Sequence, residues 1–178
     1  GFGQPLLPLQ ILWLELFIDL AASVAFEREP EEPGAMRRPP RRRDEPLLTY
    51  AILARIAAAG GFTAMAGLGI LLIGSGTFDE LRWVAYTALV IGQVVRAYAN
   101  RSLTEPVRRL RPNLVLAVAC LAVIAVQLLI PAVPALADAF RAHPLSAAEW
   151  LVVAVVALLP ALLAEAIRTL RSGTAWIA

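Results

Sequence analysis

The 178-residue sequence is 59% hydrophobic and 17% charged with a net charge of +2, and its mean hydropathy is +0.69. A soluble helical domain would need more charge to cover its core, and would show an apolar stripe every ~3.6 residues instead of unbroken apolar blocks. All the basic residues are Arg and lie scattered over connecting segments, which excludes a nucleic-acid-binding face.

The chain starts at Gly1, not Met, and opens directly onto an apolar run. No charged n-region or cleavage site precedes that run, so it is not a signal peptide, and the chain reads as cut from something longer. The first run, 6–26, is interrupted only by Gln10, Glu15 and Asp19. Residues 27–49 follow as a polar connection whose prolines, Pro30, Pro33, Pro39, Pro40 and Pro46, forbid a continuing helix. Further apolar runs cover 50–73, 80–100, 113–137 and 148–170, with Pro131 and Pro134 expected to kink or end the fourth. A helix crossing a bilayer needs about twenty apolar residues. The expected fold is therefore all-α, an integral membrane bundle of five transmembrane helices.

Arginine placement orients the bundle. Arg28, Arg37, Arg38, Arg41, Arg42 and Arg43 lie in the first connection, Arg101, Arg108, Arg109 and Arg111 in the third, and Arg168 and Arg171 near the end. The alternate connections carry only Arg82 and Arg141. This asymmetry puts 27–49 and the carboxy terminus in the cytoplasm of what we expect to be a bacterial plasma membrane. Trp83 and Trp150 then fall at the outer boundary and Tyr50 and Tyr98 at the inner one, as an aromatic belt. The second run carries Ala57, Ala58, Ala59, Gly60, Gly61, Ala64, Ala66, Gly67 and Gly69. Such small residues suit close helix packing, or a surface on which another helix slides.

Ionisable groups within a span cost about 2.5–3.5 kcal/mol on insertion scales and mark ion pathways by default. Glu15 and Asp19 are four residues apart, hence on one face of an α-helix. Two such carboxylates repel unless a cation or a proton lies between them. They are the candidate ion-binding and metal-ligating pair. Gln93 offers one carbonyl oxygen on the third run, and Arg96 follows it by three residues. Arg96 is either a charge partner facing the site or an anchor snorkelling to the interface. Arg55 reads as a snorkelling anchor, Glu165 and Arg168 as a structural pair, and Cys120 as a small core residue. His143 has no partner at metal-ligand spacing and reads as surface. No phosphate loop, Ser/His/Asp set or zinc-site pattern is present, so no catalytic residue is assigned.

The segment Pro8-Leu9-Gln10-Ile11-Leu12-Trp13-Leu14-Glu15-Leu16-Phe17-Ile18-Asp19 resembles the opening of the sixth transmembrane helix of type II P-type ATPases, the calcium and sodium/potassium pump group. The stretch Glu29-Pro30 to Asp44-Glu45-Pro46-Leu47 resembles the loop between that family's sixth and seventh helices. Gln93 to Arg101-Ser102 is similar to the end of the eighth helix, and Trp150, Pro160, Glu165 and Arg168 to the tenth. The resemblance thus covers the sixth to tenth helices, the carboxy-terminal membrane domain. In that family the sixth helix supplies an Asn, a Thr and an Asp as ion ligands. Asp19 falls on the Asp, Glu15 replaces the Asn, Ile18 replaces the Thr, and Leu20 stands where Gly usually follows. Gln93 sits where the eighth helix contributes an acidic or amide ligand.

The resemblance implies part of the ion-binding and translocation site of an ATP-driven cation pump, carrying a divalent, calcium-like cation or a proton. Its departures leave a poor cage for calcium, which takes six to eight oxygens. The missing Gly also weakens the expectation that the helix unwinds there. The chain alone holds no cofactor and is not catalytic; Mg-ATP and the transported cation would be bound by the full-length ATPase. Its implied partners are the phosphorylation, nucleotide and actuator domains and first five helices of its own pump, together with membrane lipid. An alternative is a secondary transporter or proton channel using Glu15 and Asp19 as a relay.

Overall fold

The structure is a computed structural model that describes residues 4–32, 36, 48–102 and 105–174. The arginine run Arg41, Arg42 and Arg43 lies outside the described residues. The first rod comprises α1 (Pro8–Leu12), a π-helical segment (Trp13–Asp19) and α2 (Leu20–Phe26). It is followed by α3 (Tyr50–Ile73), α4 (Phe78–Ala99), α5 (Leu114–Leu129), α6 (Pro134–Phe140) and α7 (Ala147–Thr174).

Local chemistry sets the helix starts. Pro8 occupies the first turn of α1, where its missing N–H costs nothing. Thr49 Oγ1 accepts the Ile52 N–H at 3.3 Å to open α3. Thr77 and Glu80 cap α4 reciprocally: Thr77 Oγ1 accepts the Glu80 N–H at 3.3 Å and Glu80 Oε2 accepts the Thr77 N–H at 2.7 Å. Gly76 reaches φ +143° in the tight turn before that cap, a conformation that favours glycine. Asn113 Oδ1 accepts the Leu116 N–H at 2.9 Å at the start of α5. Ser146 and Glu149 do the same for α7. Pro160 lies inside α7 without ending it, as transmembrane helices tolerate.

The fourth run departs from its expected limits. α5 stops at Leu129, a 3₁₀ turn spans Ile130–Ala132, and α6 is a separate short helix. Pro131 and Pro134 lack the N–H groups that would continue the ladder, so the chain turns at the end of the bundle instead of extending to 137 as one helix.

α4 is the hub, packed against α3, α5, α7 and the first rod. Trp83, Tyr86, Val90 and Val94 form a core with Val123, Ile130 and Phe140. The lipid-facing logic is inverted relative to a soluble protein. Three helical stretches are long and apolar enough to cross a membrane, Ile52–Ile73, Leu114–Ala132 and Ala147–Leu170. They nevertheless expose large side chains such as Met65, Leu72, Leu121 and Leu162. Without water there is no reason to bury these groups, and the less apolar α4 takes the interior. The chain is an all-α membrane bundle.

Two aromatic expectations separate. Trp150 is 37% exposed and suits an interfacial belt, whereas Trp83 is 1% exposed and belongs to the core. Its ring packs 5.5 Å from that of Tyr86. The small-residue surface of α3 is open: a Cβ added at Gly60, Gly61, Gly67 or Gly69 would meet nothing within 4 Å.

Alternate connections gather at opposite ends. At one end Asp79 pairs with Arg82 and Arg141, and Gln10 Nε2 donates to the Phe140 carbonyl at 3.0 Å. At the other, Glu29 pairs with Arg101 at 2.7 Å, and Arg168 Nη1 donates to the Ser102 carbonyl at 2.9 Å. The described parts of the first and third connections therefore share one end. In intact cells, with Cys120 replaced, a cysteine at Ser75 should react with an impermeant maleimide and one at Glu31 should not. The reverse pattern would overturn the orientation read from the arginines.

Candidate functional site

The first rod is not a regular α-helix where its carboxylates lie. Residues Trp13–Asp19 wind as a π-helix, with both flanks continuing in helical geometry. An i→i+5 winding widens the rod and shifts the phase of the side chains along it, and such segments are frequent at functional sites. The four-residue spacing of Glu15 and Asp19 was read on α-geometry, and the π-segment changes its consequence. Ser23 Oγ donates to the Asp19 carbonyl at 2.8 Å, an additional partner for the backbone just past the segment.

A cleft of ≈ 270 Å³ opens between this rod, α4 and α5. Asp19, Gln93, Arg96 and Asn100 supply its polar wall, and Leu116 and Cys120 are among its apolar neighbours. Asp19 and Gln93, which lie on separate rods far apart in the sequence, are thus brought to one cavity. Glu15 and Asp19 are both exposed, and Glu15 is not part of that wall. Among the described residues no three His, Cys, Asp or Glu side chains are grouped to hold a metal ion.

Arg96 does not reach for the membrane surface. Its Nη1 donates to Thr63 Oγ1 at 2.8 Å and its Nη2 to Gln93 Oε1 at 3.0 Å. Helical side chains lean toward the helix N-terminus, and this one folds back over Gly92. A Cβ there would lie 3.5 Å from Arg96 Nη1 and 3.7 Å from Ala157 Cα. Gly92 thus leaves room for the guanidinium and lets α7 approach α4. Thr63, near the middle of α3, passes its own proton to the Ala59 carbonyl at 2.9 Å. The guanidinium consequently sits level with the centre of α3 rather than with its end.

Thr63 was missed in the sequence reading. Its signal was faint: a single hydroxyl in a small-residue run, easily absorbed as a helix-compatible side chain. A second buried polar pair was missed as well. Gln127 Nε2 donates to Thr87 Oγ1 at 3.0 Å, holding α5 against α4. The remaining charges are structural. Arg168 pairs with Glu165 at 2.9 Å, and His143 Nε2 lies 3.4 Å from Glu149 Oε1 in the turn that opens α7.

Known proteins resemble this chain in sequence. The profile of the family described as "Cation transporting ATPase, C-terminus" matches residues 3–170. "Calcium-transporting ATPase 1" of Bacillus cereus is 26% identical over 188 residues, covering 94% of this chain and 21% of its own length. "Probable cation-transporting ATPase F" of Mycobacterium bovis is 29% identical, covering 88% of this chain and 18% of its own length. "Calcium-transporting ATPase 1" of Yarrowia lipolytica is 28% identical over 85% of this chain and 17% of its own length. The chain spans about a fifth of the length of these relatives. With its apolar helices, its all-α bundle and a profile match along nearly its whole length, this chain belongs to the carboxy-terminal membrane-domain family of the P-type cation-transporting ATPases.

Proposed function

We propose that the chain is the carboxy-terminal half of the membrane domain of an ATP-driven cation pump and supplies part of its translocation site. Asp19 is the ion-binding carboxylate, Gln93 an auxiliary oxygen, and Glu15 a second carboxylate on the approach to the cleft. All five rods cross the bilayer, with the arginine-rich end in the cytoplasm. ATP hydrolysis, with Mg-ATP and the phosphorylation, nucleotide and actuator domains, belongs to the part of the pump that precedes this chain. The first five helices of that part complete the ion site.

The observation that supports this reading is the convergence of Asp19 and Gln93 on one cleft from separate rods. An intramembrane carboxylate beside a cavity is costly unless it serves an ion. The reading requires an Asp-Lys-Thr-Gly-Thr phosphorylation motif and a nucleotide domain encoded upstream of Gly1. A short upstream region holding only further spans would overturn it in favour of a secondary transporter. Within the pump, Gln93→Leu removes the amide at similar bulk. It should lower the apparent cation affinity about tenfold, the loss of one modest polar ligand. Phosphoenzyme formation against cation concentration measures this, and an unchanged midpoint would remove Gln93 from the site.

A further inference from the structure

We infer that Arg96 makes the cleft selective for a single monovalent charge and excludes divalent cations from it. The inference rests on the transport reading of Asp19 and names the class of ion that this site accepts. A guanidinium is charged at every physiological pH. Here it is fixed from two sides, by Thr63 on α3 and Gln93 on α4, so it cannot swing away without losing both partners. It occupies the wall of the same ≈ 270 Å³ cleft as Asp19, and its Nη2 already takes one of the two lone pairs on Gln93 Oε1, leaving one for an ion. The charged groups around the cleft are Asp19 on the first rod, with Glu15 beyond its rim, and Arg96 on α4.

A cation entering this space meets attraction from Asp19 and repulsion from Arg96. Attraction and repulsion both double with the charge of the ion and offset each other alike. The cost of stripping water from the ion rises faster, with the square of its charge, and a wall whose two charges cancel cannot repay it. A divalent ion also needs six to eight oxygens, and the guanidinium supplies only donors. A monovalent ion carries the smaller desolvation cost and asks for fewer ligands. The bridge to Thr63 carries the specificity into α3, which the sequence reading had not connected to the site.

The test uses the full-length pump in membrane vesicles, with phosphoenzyme formation from ATP measured against calcium, sodium and pH separately. Stimulation of the parent protein by sodium or by acidification, with no micromolar calcium response, is expected. Sodium and proton transport are told apart by which of those two arms saturates. Arg96→Gln, which removes the charge, should raise apparent calcium affinity by about tenfold or more. Arg96→Lys, which keeps the charge, should continue to exclude calcium. Saturable micromolar calcium stimulation of the parent overturns the inference by itself, even if Arg96→Gln fails to insert. If Asp19→Asn abolishes that calcium response, the transport reading survives while the selectivity falls. Unaltered stimulation in Asp19→Asn would instead sink the transport reading, and with it this inference.

Discussion

Asp19→Asn in the full-length pump is expected to abolish cation-stimulated phosphorylation by ATP while leaving insertion intact. The change removes a charge at nearly constant volume, so it separates ion binding from packing. The Asp19 backbone carbonyl, the group that accepts from Ser23 Oγ, is untouched, and the π-helical winding of Trp13–Asp19 has no reason to alter. A carboxylate held against a cavity in the membrane carries an insertion cost of about 2.5–3.5 kcal/mol. Its removal should therefore make the bundle no less stable. Glu15→Gln is expected to do less, weakening the response or shifting ion preference, because Glu15 does not line the cleft. Phosphoenzyme levels in both variants and the parent, across cation concentration and pH, provide the measurement. Equal damage from the two changes would place both carboxylates at the ion. Parental behaviour of Asp19→Asn would make that carboxylate structural.

A loss of about 3–5 kcal/mol of stability, the typical result of stranding a buried ion-pair partner, is expected for Arg101→Ala. The Arg101 side chain is 1% exposed and pairs at 2.7 Å with Glu29, itself 19% exposed. Its Nε donates to both Glu29 oxygens, at 2.9 and 3.1 Å, and its Nη2 donates to the Arg111 carbonyl. The guanidinium also lies 5.3 Å from the Tyr98 ring centroid, a cation–π contact. Asn113 Nδ2 donates to Glu29 Oε2 at 2.8 Å and to the Ala25 carbonyl at 3.1 Å. One cluster thus joins the end of α2, the α4–α5 connection and the first turn of α5. Removing the guanidinium leaves Glu29 with Asn113 alone and unties the α4–α5 connection from the end of α2.

The same cluster gives a pH dependence. Burial pushes the Glu29 carboxyl upward. The hydrogen bonds from Arg101 and Asn113 and the Arg101 charge together outweigh it and hold the group below its usual value of 4.5. A carboxyl lowered in the folded state stabilises fully above its unfolded pKa, and that contribution is lost as pH falls through the folded one. Thermal inactivation in detergent should thus show a parental advantage over Glu29→Gln at neutral pH that shrinks below about pH 4. An advantage that grew on acidification would contradict the assigned cause.

The apolar runs determined the class of this protein without further help. A lipid solvent requires helices of a fixed length, and those requirements are written in consecutive residues. The prolines similarly announced the end of α5, though not the separate turn and short helix that follow. Asp19 and Gln93, which share one cleft, also stood out in the sequence, because a polar group inside an apolar run differs from its neighbours. The sequence could not say that Glu15 falls outside the cleft, since the π-helical winding of Trp13–Asp19 breaks the phase that i,i+4 spacing assumes. It placed Trp83 at a membrane boundary, whereas packing against Tyr86 buries it. Most of all, only the tertiary structure decided Arg96. Near the end of α4 a long cation can reach water or turn inward with equal ease. A hydroxyl on α3, an amide one turn away and the space above Gly92 settle that choice, because a guanidinium goes where its fixed donors find acceptors, and those acceptors come from another helix.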